Sequence, residues 1–480
     1  MKNGAPDRGR TGVSRKMQVP LLPFSLLSKL IALRESGDTI RRRALPWMLP
    51  LGLLLAASPL PAQVKSPGAS DAGKSGVTAV GNDTFLSSLG VNTHVSQGYN
   101  PGSYVLPLRY LGVRNIRDSE RNLRGLLLLK EQAGVRVDLQ GQDVEGLVSV
   151  AKALSKAGAL MAIEGPNEPN NFLLTYKGNE GGGTSGSWLP VAEVQRDLYN
   201  AVKSDPELKD YPVFHVSEGG AETENVGLQF LTIPPGANTL LPDGTRFADY
   251  ANPHNYVTGN HIGYISNQAW QAADPTLDGH WDSLYGEYGR TWKGHFQGYS
   301  NAELETLPRV TTETGWEAAT AEEERIQGTV LVNVFLAQFK RGWRYTFIYQ
   351  LGEGEGGGGN HGLFHENGTA KLAATYIHNL TSILADNIPV LAPGRLAYSI
   401  PKQPETVHDL LLQRSNGAFH LVVWGEQVSG TNDVTVDLGG THATVKIYDV
   451  TVGKEPIQTL TNVARIPLSV TDHAMILEIR

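Results

Sequence analysis

Short apolar runs that finish on polar residues recur along most of the chain. Phe85 to Val91 runs into Asn92-Thr93-His94, and Val113 to Ile116 into Arg117-Asp118. Val135 to Leu139 stops at Gln140, and Leu160 to Ile163 at Glu164. Runs this short, bounded by turn residues, read as buried strands. Between them Val105 to Leu111, Leu123 to Ala133 and Val144 to Ala157 read as helices, the first closed by Gly112. The alternation continues with a helix over Val191–Lys203 and strands over Tyr211–Val216, Phe247–Tyr256, Val310–Glu313 and Tyr345–Leu351. Long helices are expected at Ala321–Arg341 and Leu372–Leu384. Eight strands, each followed by a helix or long connection, predict an α/β fold: a (β/α)₈ TIM barrel over residues 81–390. An open doubly wound sheet is the structural alternative.

The pattern changes at about residue 391. Runs such as Leu410-Leu411-Leu412, Phe419 to Trp424, Val434 to Val436, Thr444 to Tyr448 and Met475 to Ile479 are β-type, with turn clusters and no helical spacing between them. Residues 391–480 are therefore expected to form a small C-terminal all-β sandwich domain. At the other end, residues 1–62 read as a leader and signal peptide. Arg41-Arg42-Arg43 precedes an apolar core from Met48 to Ala57 and small residues that suit cleavage after Ala62. That core is short for a spanning helix of about 20 residues, although an uncleaved anchor is the alternative. Residues 63–80, rich in Gly, Ser, Ala and Lys, read as a flexible linker. The mature protein is expected to be secreted or periplasmic, with no membrane contact.

Composition narrows the function. The net charge is −7 with no basic stripe, so nucleic acid is a poor partner. There are no cysteines, which excludes disulfides, thiolate metal sites and cysteine nucleophiles. No metal-ligand spacing is present, and no cofactor is expected. Gly352 to Gly357 fits Gly-x-Gly-x-x-Gly, but acids line it and no helix opens behind it, so phosphate binding is not expected there. Oligomeric state is left open.

Candidate chemistry lies where the strands end. In Ile163-Glu164-Gly165-Pro166-Asn167-Glu168-Pro169, glycine and prolines stop the strand and hold Glu168, with Asn167 before it, at its lip. A second strand end, Arg309-Val310-Thr311-Thr312-Glu313-Thr314-Gly315-Trp316, presents Glu313, 145 residues further on. Paired carboxylates at two strand ends are what cleavage of a glycosidic bond requires. His94, Arg117, His254 and Tyr256 fall at other strand ends, with Tyr349 at the last. Two long connections are expected to set specificity: residues 172–190, with Trp188, and the aromatic-rich residues 257–308 as a cleft wall.

These segments resemble a known group. Asn167-Glu168-Pro169 and Thr312-Glu313-Thr314-Gly315-Trp316 are similar to the acid/base and nucleophile signatures of clan A glycoside hydrolases, retaining (β/α)₈-barrel enzymes. Arg117 and His254-Asn255-Tyr256 match further clan positions, and the trailing β-domain resembles that of the β-xylosidase and α-iduronidase family. The resemblance covers about residues 81–390 and implies a carbohydrate substrate, with Glu168 as acid/base and Glu313 as nucleophile. Asn167, Arg117, His94, His254, Tyr256, Trp316, Trp188 and Tyr349 would then serve binding or orientation. Glu-Thr-Gly-Trp also resembles the nucleophile segment of plant-type β-1,3-glucanases, which favours a β-1,3-glucan. One departure is Tyr349 near the end of strand eight, where many members place a Trp; Trp316 would then take part of that role. The Glu168 carboxyl is expected to titrate above Glu313, raised by burial and the neighbouring charge. A catalytically inactive carbohydrate-binding protein is one rival reading. A polysaccharide lyase using His254 and Tyr256 as base and acid is another.

Overall fold

The computed structural model describes residues 76–183, 187–219, 231–233, 235–236, 240–257, 269–270, 306–427 and 429–480. The expected leader and signal peptide, the linker as far as residue 75 and nearly all of the 257–308 loop lie outside these residues.

Eight strand positions make the barrel. They are β1 (Leu89–Asn92), β2 (Asn115–Ser119), β3 (Arg136–Gln140), β4 (Leu160–Glu164), β5 (Val213–Phe214), β6 (Pro253–His254), β7 (Thr311–Thr314) and β8 (Thr346–Ile348). Seven form one parallel sheet in the order β7-β8-β1-β2-β3-β4-β5. The residues entering β6 close the ring, because Tyr250 bridges Phe214 and Ala251 bridges Arg309, both in parallel. The amide of His215 donates to Tyr250 O at 3.0 Å and that of Val310 to Ala251 O at 2.9 Å. This closure is the expected TIM barrel and not the open sheet.

Outside it lie α1 (Pro101–Leu111), α2 (Leu123–Ala133), α3 (Val144–Lys156), α4 (Leu189–Ser204), α5 (Ala321–Lys340) and α6 (Leu372–Ile383). Their ends follow local chemistry. Pro101 opens α1 behind an Asn100 cap, and Gly112 closes it at φ 69°. Thr320 and Glu323 make a reciprocal capping box on α5.

The barrel interior has two layers. Met161, Ala162, Phe214, Val310 and Phe347 form a small apolar cluster. Two residues further along their strands, Glu164 and Thr312 face the same interior, because side chains alternate along a strand. An apolar floor thus carries a polar layer at the C-terminal end. Gly90 makes room for the floor: a Cβ there would lie 2.3 Å from the Phe347 ring.

The C-terminal strands β9 (Val407–Gln413), β10 (Phe419–Gly425), β11 (Asn432–Asp449), β12 (Gln458–Val470) and β13 (Ala474–Ile479) form one sheet in the order β12-β11-β13-β10-β9. Its sixth member is Val80–Gly81, parallel to Leu412–Gln413, while Val77–Thr78 pairs with Arg395–Leu396. Residues 77–81, at the expected end of the linker, are thus tied into the C-terminal region. Alternation sorts the two faces. Leu411, Leu421, Val423 and Leu477 cluster with Val434, Val436 and Leu468 of the β11–β12 hairpin, whose register shifts between Asp437 and His442. Leu410, Leu412, Val422, Trp424 and Ile476 pack into the cluster that includes the barrel helices. The C-terminal region is thus one six-stranded sheet with apolar clusters on both faces, in place of the two packed sheets expected of a sandwich. Helix α5 is held between: Asn333 Nδ2 donates to Gly425 O at 3.0 Å and Asp472 O at 3.1 Å, and Arg325 pairs with Asp472 at 2.7 Å. No helix among the described residues is long and apolar enough to cross a membrane.

Because the Phe347 ring cannot move without disturbing the floor, Gly90→Ala is expected to lower unfolding free energy by about 1–3 kcal/mol. Urea denaturation followed by tryptophan fluorescence checks this, and an unchanged midpoint would contradict the two-layer interior.

Candidate active site

The polar layer is organised by Arg117. The alternation of β2 turns its side chain into the barrel, where it is 5 % exposed. Nε donates to Glu164 Oε2 at 2.9 Å and Nη2 to Glu164 Oε1 at 2.7 Å, a bidentate pair. Nη2 also donates to Asn167 Oδ1 at 2.8 Å, and Nη1 to Glu313 Oε1 at 2.5 Å. Burial alone would lower the Arg117 pKa, but the charges of Glu164 and Glu313 hold it above its ordinary value.

Glu313, at the end of β7, takes a second bond from the Tyr256 hydroxyl at 3.1 Å. Glu168 stands opposite. Its backbone is left-handed, φ 39°, a conformation that costs a non-glycine residue about 1–3 kcal/mol. A tight turn maintains it: the amides of Asn171 and Phe172 both donate to Glu168 O at 2.8 Å. Asn171 Nδ2 donates to Glu168 Oε2 at 2.9 Å. Gly219 leaves room for this group: a Cβ there would sit 2.7 Å from the Glu168 carboxyl and from Asn171 Nδ2, and those side-chain ends would have to shift.

His254 lies between the two glutamates. Its Nδ1 is 2.6 Å from Glu168 Oε1 and 3.6 Å from Glu313 Oε2. Its Nε2 is 3.0 Å from Thr312 Oγ1, which in turn lies 3.1 Å from Glu164 Oε1 and 3.0 Å from Asn252 Oδ1. One oxygen of each glutamate and one nitrogen of His254 lie within 4.8 Å of one another. Such a trio has the spread of a cation site, but the bonds from Arg117, Tyr256, His254 and Asn171 already account for each group.

The electrostatics differ from the sequence expectation in one respect. Burial pushes the Glu168 carboxyl up, yet the hydrogen bond and charge of His254, the bond from Asn171 and the Arg117 charge together hold it below its ordinary value. The expectation of a raised value left out the imidazole, whose place beside Glu168 is not legible from spacing. Among the carboxyls of this layer it is Asp138 that is raised, by burial and then by the Glu164 charge. Neither Asp138 oxygen meets a conventional donor, and both are shut from solvent beside Glu164. A proton on Asp138, shared with Glu164, removes the repulsion. Glu164 itself stays low: burial opposes this, but Arg117 outweighs it.

The remaining candidates divide. Tyr349 packs edge-on against Tyr256 at 6.3 Å and His94 at 5.7 Å between ring centroids. Burial, then the Glu313 and Glu168 charges, raise its hydroxyl, so its ring stands beside the pair. His94 lies one ring further out, its Nδ1 3.5 Å from Glu355 Oε2. Trp316 and Trp188 are buried. Trp316 is 6 % exposed within the main apolar cluster, and Trp188 is 2 % exposed with its indole N–H donated to Gly183 O at 2.9 Å. Glu164, Asp138, Thr312, Asn252 and Asn171 were not singled out. Asp138, an acid inside the expected strand Val135–Leu139, was the one available signal.

No family model matches the chain, and no curated protein matches it. Solved structures do. A family 39 glycoside hydrolase from Bacteroides cellulosilyticus WH2 aligns with TM-score 0.50 and 14 % identity over 84 % of this chain and 82 % of its own. The GH51 arabinofuranosidase of Xanthomonas axonopodis pv. citri gives 0.52 and 12 %, covering 85 % and 98 %. CelM2, a bifunctional glucanase-xylanase from a metagenome library, gives 0.51 and 11 %, covering 84 % and 97 %. The fold is the one these glycoside hydrolases share. It is also the fold that the sequence resemblance to clan A implies.

A raised folded-state pKa at Asp138 contributes stability present below the ordinary Asp range and lost as pH rises through the folded value. Asp138→Asn removes that dependence. The unfolding free energy of Asp138→Asn relative to wild type is therefore expected to rise between pH 4 and pH 8 in urea titrations; a gap that does not change with pH would contradict a protonated Asp138.

Proposed function

We propose that the protein is a retaining glycoside hydrolase that cleaves β-glycosidic bonds of an oligo- or polysaccharide by double displacement. The closeness of Glu168 and Glu313, one carboxylate oxygen of each lying within 4.8 Å of the other, supports this most. Carboxyl groups about 5 Å apart suit a retaining reaction, whereas inversion needs roughly 6.5–9.5 Å to admit a water. Glu313, ionised and oriented by Arg117 and Tyr256, attacks the anomeric carbon and forms a glycosyl-enzyme. Glu168, once protonated against the pull of His254 and Arg117, gives that proton to the leaving oxygen, then takes one from the water that releases the sugar. Asn167, with Oδ1 engaged by Arg117, keeps its amide N–H groups for a sugar hydroxyl.

His254 and Tyr256 are both committed to the glutamates, which speaks against their serving as base and acid of a lyase. An inactive binding protein would have no use for a strained Glu168 and a charge-balanced Glu313. β-1,3-Glucan is the first substrate to try, on the strength of Glu313-Thr314-Gly315-Trp316. Export follows from the basic, apolar and small-residue order of residues 41–62.

A panel of β-glucans, xylans and aryl β-glycosides, with the anomer of the first product read by proton NMR, tests the reading. Hydrolysis with retention is expected; an unsaturated product absorbing in the ultraviolet would indicate a lyase. Glu168→Gln and Glu313→Gln are each expected to lower kcat by a few orders of magnitude, about 10²–10⁴ or more. Near-normal turnover in either would defeat the assignment. His254→Gln should raise the Glu168 pKa, so its acid form persists to higher pH. The alkaline limb of the kcat/KM profile then moves upward, and a limb that stays in place would remove His254 from this role.

A further inference from the structure

Resting on the glycosidase reading, we propose that the sugar bound beside Glu313 is uncharged and that His361 Nε2 accepts a hydrogen bond from one of its hydroxyls. His361 follows β8, four residues beyond the Gly352–Gly357 run that fits a phosphate loop in sequence only. Its Nδ1 is 2.9 Å from Gly358 O, which fixes the proton on Nδ1 and leaves Nε2 as an acceptor. Nε2 has no partner among the described residues, and the ring is only partly buried. That ring stands edge-on to Tyr256 at 5.7 Å and to Tyr349 at 5.9 Å between centroids, the two tyrosines that flank Glu313. Its Cδ2 would lie 3.3 Å from a Cβ on Gly315, two residues beyond Glu313. Burial lowers the His361 pKa, against the Gly358 bond and the Glu317 and Glu313 charges, so the imidazole is neutral.

The mount is firm. Gln327 Nε2 donates to His361 O at 3.3 Å, and Lys371 Nζ to Asn360 O at 3.2 Å and Ala318 O at 3.0 Å. Lys371 is itself paired with Glu353 at 2.5 Å and fully buried, so it offers no charge to a ligand. Arg117 is similarly committed: its five N–H groups make four bonds to Glu164, Glu313 and Asn167. Among the described residues no further cation contacts the glutamate pair, while Glu317 and Glu355 add negative charge nearby. A uronate would bring a third carboxylate into this field and face a neutral acceptor at His361. An uncharged sugar supplies the hydroxyl donor that Nε2 lacks. Unpaired buried charge of this kind is a strong basis for rejection.

Matched aryl β-glycosides of neutral sugars and of glucuronic acid, together with the corresponding neutral glycosyl fluorides, test the inference on the purified protein. The best neutral glycoside is expected to exceed the glucuronide in kcat/KM by about 100-fold or more. His361→Ala should lose about 10–100-fold on both the aryl glycoside and the fluoride, since the contact is to the sugar retained by the enzyme. His361→Gln, which places an amide oxygen near the same point, should recover part of the loss; a purely structural role would give no such recovery. A glucuronide hydrolysed as fast as any neutral sugar overturns the inference and leaves the glycosidase reading intact, and so does a His361→Ala enzyme within twofold of wild type on the fluoride. If no glycoside or fluoride is hydrolysed, the glycosidase reading itself fails and this inference goes with it.

Discussion

A guanidinium sealed inside a ring of strands is the constraint on which the site depends. Arg117 is buried, and Glu164, Glu313 and Asn167 are arranged around its charge. It joins β2 to Glu164 at the end of β4 and to Glu313 at the end of β7, strands remote in sequence. The pairing is possible only if the barrel closes. Burial and the Glu164 charge raise the Asp138 carboxyl, which eases the excess of negative charge around Arg117. Fold and charge state are therefore one problem here: the closed ring brings the acids together, and the proton on Asp138 lets them remain.

From that layer two branches reach the cleft and give similar side chains different surroundings. Arg117 and Tyr256 address Glu313 directly. Glu164 reaches Glu168 less directly, through Thr312 and His254. The second branch ends on a residue whose backbone is held left-handed by its own turn and whose carboxyl touches the space that Gly219 leaves empty. The C-terminal sheet takes no part in this chemistry among the described residues. It packs on α5, the helix that follows β7 and Glu313.

Much of this was legible in sequence, for identifiable reasons. Apolar runs ending in polar residues mark parallel strands whose C-terminal ends share one face, so Glu168, Glu313, Arg117, His254 and Tyr256 could be collected before any geometry was known. What a linear pattern cannot carry is which side chains meet across the ring. That is why His254 beside Glu168 reversed the expected direction of its pKa, and why Glu164 passed as the last residue of a strand. Aromatic content is less informative: Trp316 and Trp188 have the composition of a sugar platform, and both are buried among the described residues. His361 was hidden by its context, because a run of glycines draws attention to phosphate and away from the ring it presents.

The most direct test of the paired glutamates is to trap the intermediate. A 2-deoxy-2-fluoro glycoside of the preferred sugar, carrying a good leaving group, slows breakdown of a glycosyl-enzyme so that it accumulates, and peptide mass spectrometry then locates the adduct. The label is expected on Glu313, and on no residue in Glu313→Gln. A label on another side chain, or turnover without any covalent adduct and with inversion at the anomeric carbon, would contradict the arrangement of Glu168 and Glu313 as acid/base and nucleophile.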